Sequence, residues 1–145
     1  MEQVHGTCVD IGGTGILLRG PSGSGKSDLA LRLIDGGALL VADDRVNIMS
    51  HRDGHLTLSA PAELAGKMEV RGIGIVTLEA VPESLLRLVF DLVAGDQVER
   101  LPEAATLDFL GTSVPLYRLD PFDASAPAKI HLAVKLVDGS LPPVP

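Results

Sequence analysis

An α/β fold built around a phosphate-binding loop is predicted by three observations. In Gly20-Pro21-Ser22-Gly23-Ser24-Gly25-Lys26-Ser27 the first and last glycines are separated by four residues and followed directly by Lys-Ser. At that spacing successive backbone N–H groups wrap a phosphate. The flanks agree, because Thr14 to Arg19 reads as a short apolar strand entering the loop, and Asp28 to Ile34 leaves it with Leu29, Ala30, Leu33 and Ile34 at helical spacing. Finally, 46% of the chain is hydrophobic but only 3% is aromatic, with no Trp. A core of Leu, Val, Ile and Ala packs well on sheet faces, so the fold is expected to be strand-rich.

The elements follow in order. Val4 to Ile11 alternates as a strand, and Gly12-Gly13 supplies the positive-φ pair of a tight hairpin turn. Thr14 to Arg19 is then its returning partner. With those glycines as the turn, Ile11 pairs with Thr14 and, counting outward, His5 with Gly20, which sets His5 beside the loop mouth. The helix is expected to stop at Gly36-Gly37. Ala38 to Ala42 is a continuous apolar run of the kind buried on both faces in the middle of a sheet, ending abruptly in Asp43-Asp44. Carboxylates at the C-terminal end of such a strand occupy the crevice where open α/β sheets bind ligands.

Beyond this point Val46 to Met49 and His55 to Leu58 flank Asp53-Gly54 as a hairpin, and Pro61 to Ala65 starts one helical turn. Met68 to Leu78 is extended and interrupted by glycine. Leu85 to Val93 and Val114 to Leu119 are apolar runs, and Lys129 to Val137 alternates as a late strand, leaving one long helix in the chain. The proline-rich end, about 139–145, is expected to be an irregular tail. With no repeat, linker or low-complexity block, residues 1–145 form one expected domain.

Composition excludes several function classes. A formal net charge of −7, with no run among the 12 basic residues, opposes a nucleic-acid partner. The lone cysteine, Cys8, cannot form an internal disulfide, and the opening MEQVHG lacks the basic and apolar regions of a secretory signal. No apolar stretch is long enough to cross a bilayer, so no membrane association and a cytoplasmic location are expected.

The loop itself predicts chemistry. Gly20, Pro21, Ser22, Gly23, Ser24, Gly25, Lys26 and Ser27 form an expected ATP or GTP site. In it Lys26 places a mobile charge on the terminal phosphates, the Ser27 hydroxyl holds Mg2+, and the helix N-terminus adds its partial positive charge. Asp43 is expected to bind the metal through water. Asp44 reads as a catalytic carboxylate, a solvated turn residue or a metal-sphere residue. Glu69 and Arg71, two apart in an extended segment, leave the same face, and read alone they make an exposed ion pair. His51, His55 and His131 have no partner at metal-ligand spacing and read as surface or packing residues. Cys8, on an apolar strand, reads as a buried thiol.

Three separated segments, VHGTCVDIGG, GPSGSGKSDLALRLIDGGALLVADDRV and MEVRGIGIV, in this order, resemble the catalytic domain of the bacterial HPr kinase/phosphorylase family. The resemblance is close over roughly residues 4 to 78 and looser to about 135. It implies a P-loop kinase domain with a mixed sheet on a plan related to phosphoenolpyruvate carboxykinase. The implied activity is ATP-dependent phosphorylation of a serine on the phosphocarrier protein HPr, reversible with inorganic phosphate. On the resemblance, Asp44 is the general base of the forward reaction and the acid of the reverse, and Glu69 binds metal. Arg71 lies in a stretch linked to phosphorylation, Arg100 aligns with an active-site arginine, and His5 also falls in a matched segment.

The sequence departs from the family in places. On the resemblance, this chain is expected to be a short form of the family, without the usual amino-terminal domain and carboxy-terminal helices. Leu-Phe-Gly is missing after Gly74, and Ala133 and Lys135 replace Pro and Arg in the segment linked to dephosphorylation. Two other readings keep the loop: a small-molecule kinase, which needs a polar acceptor pocket, and a nucleotide-responsive module that binds without turnover. Self-association into a homo-oligomer is left open by the sequence.

Overall fold

The structure, a computed structural model, describes residues 1–142. Its first hairpin joins β2 (Thr7–Ile11) to β3 (Thr14–Arg19) in the expected register, Ile11 opposite Thr14 and Thr7 opposite Leu18. That register does not extend to His5. At Gly6 the strand bends away, and the preceding strand β1 (Glu2–His5) pairs instead with β5 (Arg45–Ser50), setting His5 opposite Arg45. Gly6 permits the bend because any Cβ there would lie 2.7 Å from Leu17 Cδ1 and 3.0 Å from the Leu18 carbonyl.

The same kink occurs on the facing strand. β4 (Leu39–Ala42) and β5 are separated only by Asp43-Asp44, and the Gly6 N–H donates to the Asp44 carbonyl across 3.0 Å. β5 forms the expected hairpin with β6 (Leu56–Ser59), which borders β9 (Ser84–Leu92), and β9 lies parallel to β3. Since β1 and β2 are two halves of one kinked strand, the pairing returns on itself through β5, β6, β9 and β3. β11 (Thr112–Leu119) extends β9 in parallel and carries β10 (Ala105–Phe109) on its outer side.

Strand direction positions the site. β3, β9 and β11 are mutually parallel, and β2 is antiparallel to both β3 and β4. The C-terminal ends of β3, β4, β9 and β11 therefore lie on one edge. The sheet is accordingly mixed.

Period-2 alternation divides the core in two. Cys8, Leu17, Val41, Val46, Ile48, Leu58 and Val89 point into the closed side of the sheet. Val9, Ile16, Leu18, Leu88 and Phe90 point out toward two helices, α1 (Lys26–Asp35) and α2 (Ala126–Val137). α1 answers with Leu29, Ala30 and Leu33, as its spacing predicts.

Two expectations require correction. Lys129 to Val137 is helix, not strand: Ile130, Leu132, Val134 and Leu136 suit a period of two, but Leu132 and Leu136 are exposed. The buried set is Ala126, Ile130, Ala133 and Val134, at helical spacing, with Pro127 in the first turn. β4 ends the ladder rather than occupying its middle. Its burial comes from a bridge between Leu40 and Ala80 and from packing against α1. Met68 to Leu78 is extended and interrupted by glycine as expected, as two strands, β7 (Lys67–Val70) and β8 (Gly74–Thr77), folded back at Arg71–Ile73, where Gly72 has φ 87°. Pro61–Ala65 contains the expected turn, a 3-10 helix over Ala62–Leu64. Of the proline-rich tail, 143–145 lie outside the described residues.

Candidate functional site

The glycine loop emerges from β3 at the common strand edge and runs directly into α1. Gly23 and Gly25 adopt φ 81° and 97°, and Gly25 is the residue before the helix, so an L side chain at either would be strained. No side chain caps α1; its first bond from the main chain is Leu29 N–H to the Gly25 carbonyl, 2.9 Å. The amides of the first turn are thus uncommitted. Lys26 Nζ donates to the Gly20 and Pro21 carbonyls at 2.6 and 3.0 Å, holding the ammonium over the loop entrance. Ser24 Oγ is buried without a hydrogen-bond partner, and a Cβ on Gly20 would lie 2.5 Å from it. An orphan hydroxyl in a glycine loop that leads into an uncapped helix N-terminus suits an anionic oxygen ligand.

On the first turn of α1, Ser27 Oγ donates to Asp43 Oδ1 across 2.8 Å, and Thr7 Oγ1 donates to the same oxygen across 3.0 Å. Asp43 is only 8% exposed. The burial of a charged residue at the end of an apolar strand is tolerable because two hydroxyls satisfy it. Among the described residues no three His, Cys, Asp or Glu side chains form a metal cage. Ser27 and Asp43 nevertheless suit Mg2+, which usually keeps waters and takes one or two protein ligands besides substrate phosphates.

Asp44 is strained. Its φ is 70°, and Arg45 N–H donates to the Asp43 carbonyl across 2.8 Å, closing a three-residue turn about it. Positive φ in such a γ-turn is rare for a residue with a side chain. The turn separates β4 from β5 and leaves the Asp44 side chain exposed on the edge shared with the loop. Strain of this kind concentrates at functional positions.

The remaining residues singled out in the sequence are not joined to this constellation by any bond. His5 is exposed beside Arg45. Glu69 is exposed on β7, on the face opposite the buried Met68 that packs toward α1, while Arg71 falls in the turn beyond, so the two do not share one strand face as expected. Arg100 is exposed in the connection before β10. Lys135, near the end of α2, is carried away from the loop edge. The carbonyl of neighbouring Val137 accepts from Arg87 Nη2 at 3.0 Å, and Arg87 precedes Asp91 by four residues along β9, about 13 Å.

Two features escaped sequence reasoning. Arg19 and Asp91, at the ends of β3 and β9, form a bidentate pair at 2.8 and 3.0 Å that ties the loop's stem to its neighbour. Thr7 as a partner of Asp43 was hidden among strand residues. Cys8 is fully buried, and burial pushes its thiol well above the usual range. His51 and His55 stack on each other with centroids 4.5 Å apart, a packing role. Two cavities of about 430 and 440 Å3 lie elsewhere, one lined by Val41, Leu78 and Val81, the other by Leu86, Val114 and Val137, and no loop residue borders either. No described helix is long and apolar enough to cross a membrane.

Residues 1–120 match the family model of the HPr serine kinase C-terminal domain. The chain is similar to the HPr kinase/phosphorylase of Levilactobacillus brevis, with 36% identity over 135 residues, covering 92% of this chain and 42% of that protein. With the HPr kinase/phosphorylase of Lactiplantibacillus plantarum the identity is 48% over 75 residues, 52% of this chain and 24% of the relative. The chain thus spans less than half the length of these relatives. Among solved structures, the Hpr(Ser) kinase/phosphatase of Coxiella burnetii superposes with a TM-score of 0.82 at 27% identity, covering 93% of this chain and 95% of that one.

Proposed function

This chain belongs to the HPr serine kinase C-terminal domain family, and on that premise we propose that it is an ATP- and Mg2+-dependent protein-serine kinase acting on HPr in the cytoplasm. We further propose the reverse transfer to inorganic phosphate, and a P-loop kinase plan like that of phosphoenolpyruvate carboxykinase. The observation that carries the reading is the junction of free helix amides, Lys26, Ser27 bonded to Asp43, and strained Asp44 on one strand edge.

Bound ATP with its magnesium ion supplies the transferable phosphoryl group and the counter-charge on it. The rest falls to the protein. Gly20 to Ser27 hold and orient the phosphates through main-chain amides, with Ser24 Oγ as a further donor and Lys26 as a movable positive charge. Ser27 Oγ and Asp43 would hold the metal. Asp44, as a carboxylate, accepts the proton of the incoming serine hydroxyl, a poor nucleophile while it keeps that proton, and returns it in the reverse direction. The fixed turn around Asp44 keeps this acceptor from swinging away. Glu69 at the metal, and Arg71, Arg100 and His5 as further catalytic groups, enter the proposal on the resemblance alone.

Incubation with ATP, Mg2+ and purified HPr, read by intact mass and site mapping, tests the proposal. One phosphoryl group on a single HPr serine is expected. ATP binding without any transfer would leave a nucleotide-binding module instead.

A further inference from the structure

β11 is parallel to β3, so the segment that follows it, Asp120-Pro121-Phe122, emerges on the same edge as the glycine loop. It lies against that loop. A Cβ on Gly25 would meet Pro121 Cγ at 3.2 Å and the Phe122 ring at 3.3 Å. The contact is held from three sides: Arg32 of α1 donates to the Pro121 carbonyl, Phe122 N–H donates to Asp120 Oδ1 at 2.9 Å, and Pro121 is buried. Arg32 is itself oriented by Asp28 one turn earlier, at 3.1 Å.

Phe122 is the anomaly in this arrangement. Of the three Phe in the chain, Phe90 and Phe109 are 2% and 5% exposed, whereas Phe122 is 71% exposed. Tyr117 stacks on Phe90. Phe122 is therefore the one exposed Phe or Tyr side chain among the described residues, and it stands at the helix end of the glycine loop, on a backbone fixed by side-chain bonds. A rigid flat apolar face beside a phosphate cradle fits the base of a nucleotide whose phosphates the loop holds, since every base offers a π-face for stacking.

We propose that Phe122, backed by Pro121, is the nucleobase platform of the site. This deepens the nucleotide reading of the loop and rests on it. Stacking on the ring face gives affinity without reading the base edge.

Calorimetry with two probes, ATP and inorganic tripolyphosphate, each with Mg2+, separates the base from the phosphates. The wild type is expected to bind ATP more tightly than tripolyphosphate. Phe122→Ala should shrink that preference by on the order of tenfold, and Phe122→Trp should keep it. Equal affinity of the wild type for both probes, a preference that survives Phe122→Ala, or a variant that weakens both probes equally would each overturn the platform while leaving the phosphate loop intact. Failure of the wild type to bind either probe would instead remove the phosphate-loop reading, and the platform with it.

Discussion

The hydroxyl of Ser27, on the first turn of α1, donates to the Oδ1 atom of Asp43 at the end of β4 across 2.8 Å, and Thr7 shares that oxygen at 3.0 Å. One carboxylate thus links the helix leaving the glycine loop, the end of β4 next to Asp44, and the first hairpin. Asp43→Ala would leave two hydroxyls without an acceptor at a site only 8% exposed. The expected cost is about 1–3 kcal/mol, with a thermal midpoint lower by several degrees. Asp43→Asn retains an acceptor and should recover most of that stability while still failing to support magnesium-dependent nucleotide binding. Equal stability of the alanine variant and the wild type, by thermal unfolding, would show that this junction is not structural.

Lys26→Ala removes the one positive side chain held over the loop. ATP affinity by calorimetry is expected to fall by roughly 10- to 100-fold, the loss of a charge-assisted contact, with the fold retained. Unchanged affinity would remove the phosphate-loop reading.

Asp44 joins strain to its proposed role, so two substitutions separate the two. Asp44→Asn keeps the turn's shape and should bind ATP normally but transfer phosphoryl groups about 10²- to 10⁴-fold more slowly. Asp44→Gly relieves the positive φ of 70°. It should be as stable as the wild type or more so, by about 1 kcal/mol, and equally inactive. Near-normal turnover in both variants would move the proton acceptor elsewhere, with Asp43 next.

Cys8 has a thiol held neutral by full burial. In the native protein it should react with a disulfide reagent only after unfolding. The folded-state pKa is raised, so the contribution to stability is complete below the ordinary thiol pKa and declines as pH rises above it, because only the unfolded chain ionises there. Rapid labelling under native conditions would show that this part of the sheet opens.

Lys135 is expected to be without influence on the reverse reaction. A helix rather than a strand carries it away from the loop edge, past Arg87. Pyrophosphate release from phosphoserine-HPr should follow superimposable phosphate titrations in the wild type and in Lys135→Arg. A lower phosphate requirement in the variant would place this end of α2 in the site after all.

The chemistry held in contiguous residues is legible in the chain. Gly20 to Ser27, the hairpin at Gly12-Gly13, the helix after Lys26 and the burial of Cys8 are set by backbone freedom and local apolar period, which neighbours in sequence determine. What depends on distant partners is not. The spacing of Ile130, Leu132 and Val134 fits two periods, and only packing on the sheet selects the helical one. His5 leaves the register of its own hairpin because β5, forty residues on, competes for it. The bond from Thr7 to Asp43, the pair of Arg19 with Asp91 and the approach of Phe122 to Gly25 each join residues from separate parallel or kinked strands. Such contacts come from how the sheet brings its strand ends to one edge, a property of the closed ladder that no local pattern of residues encodes.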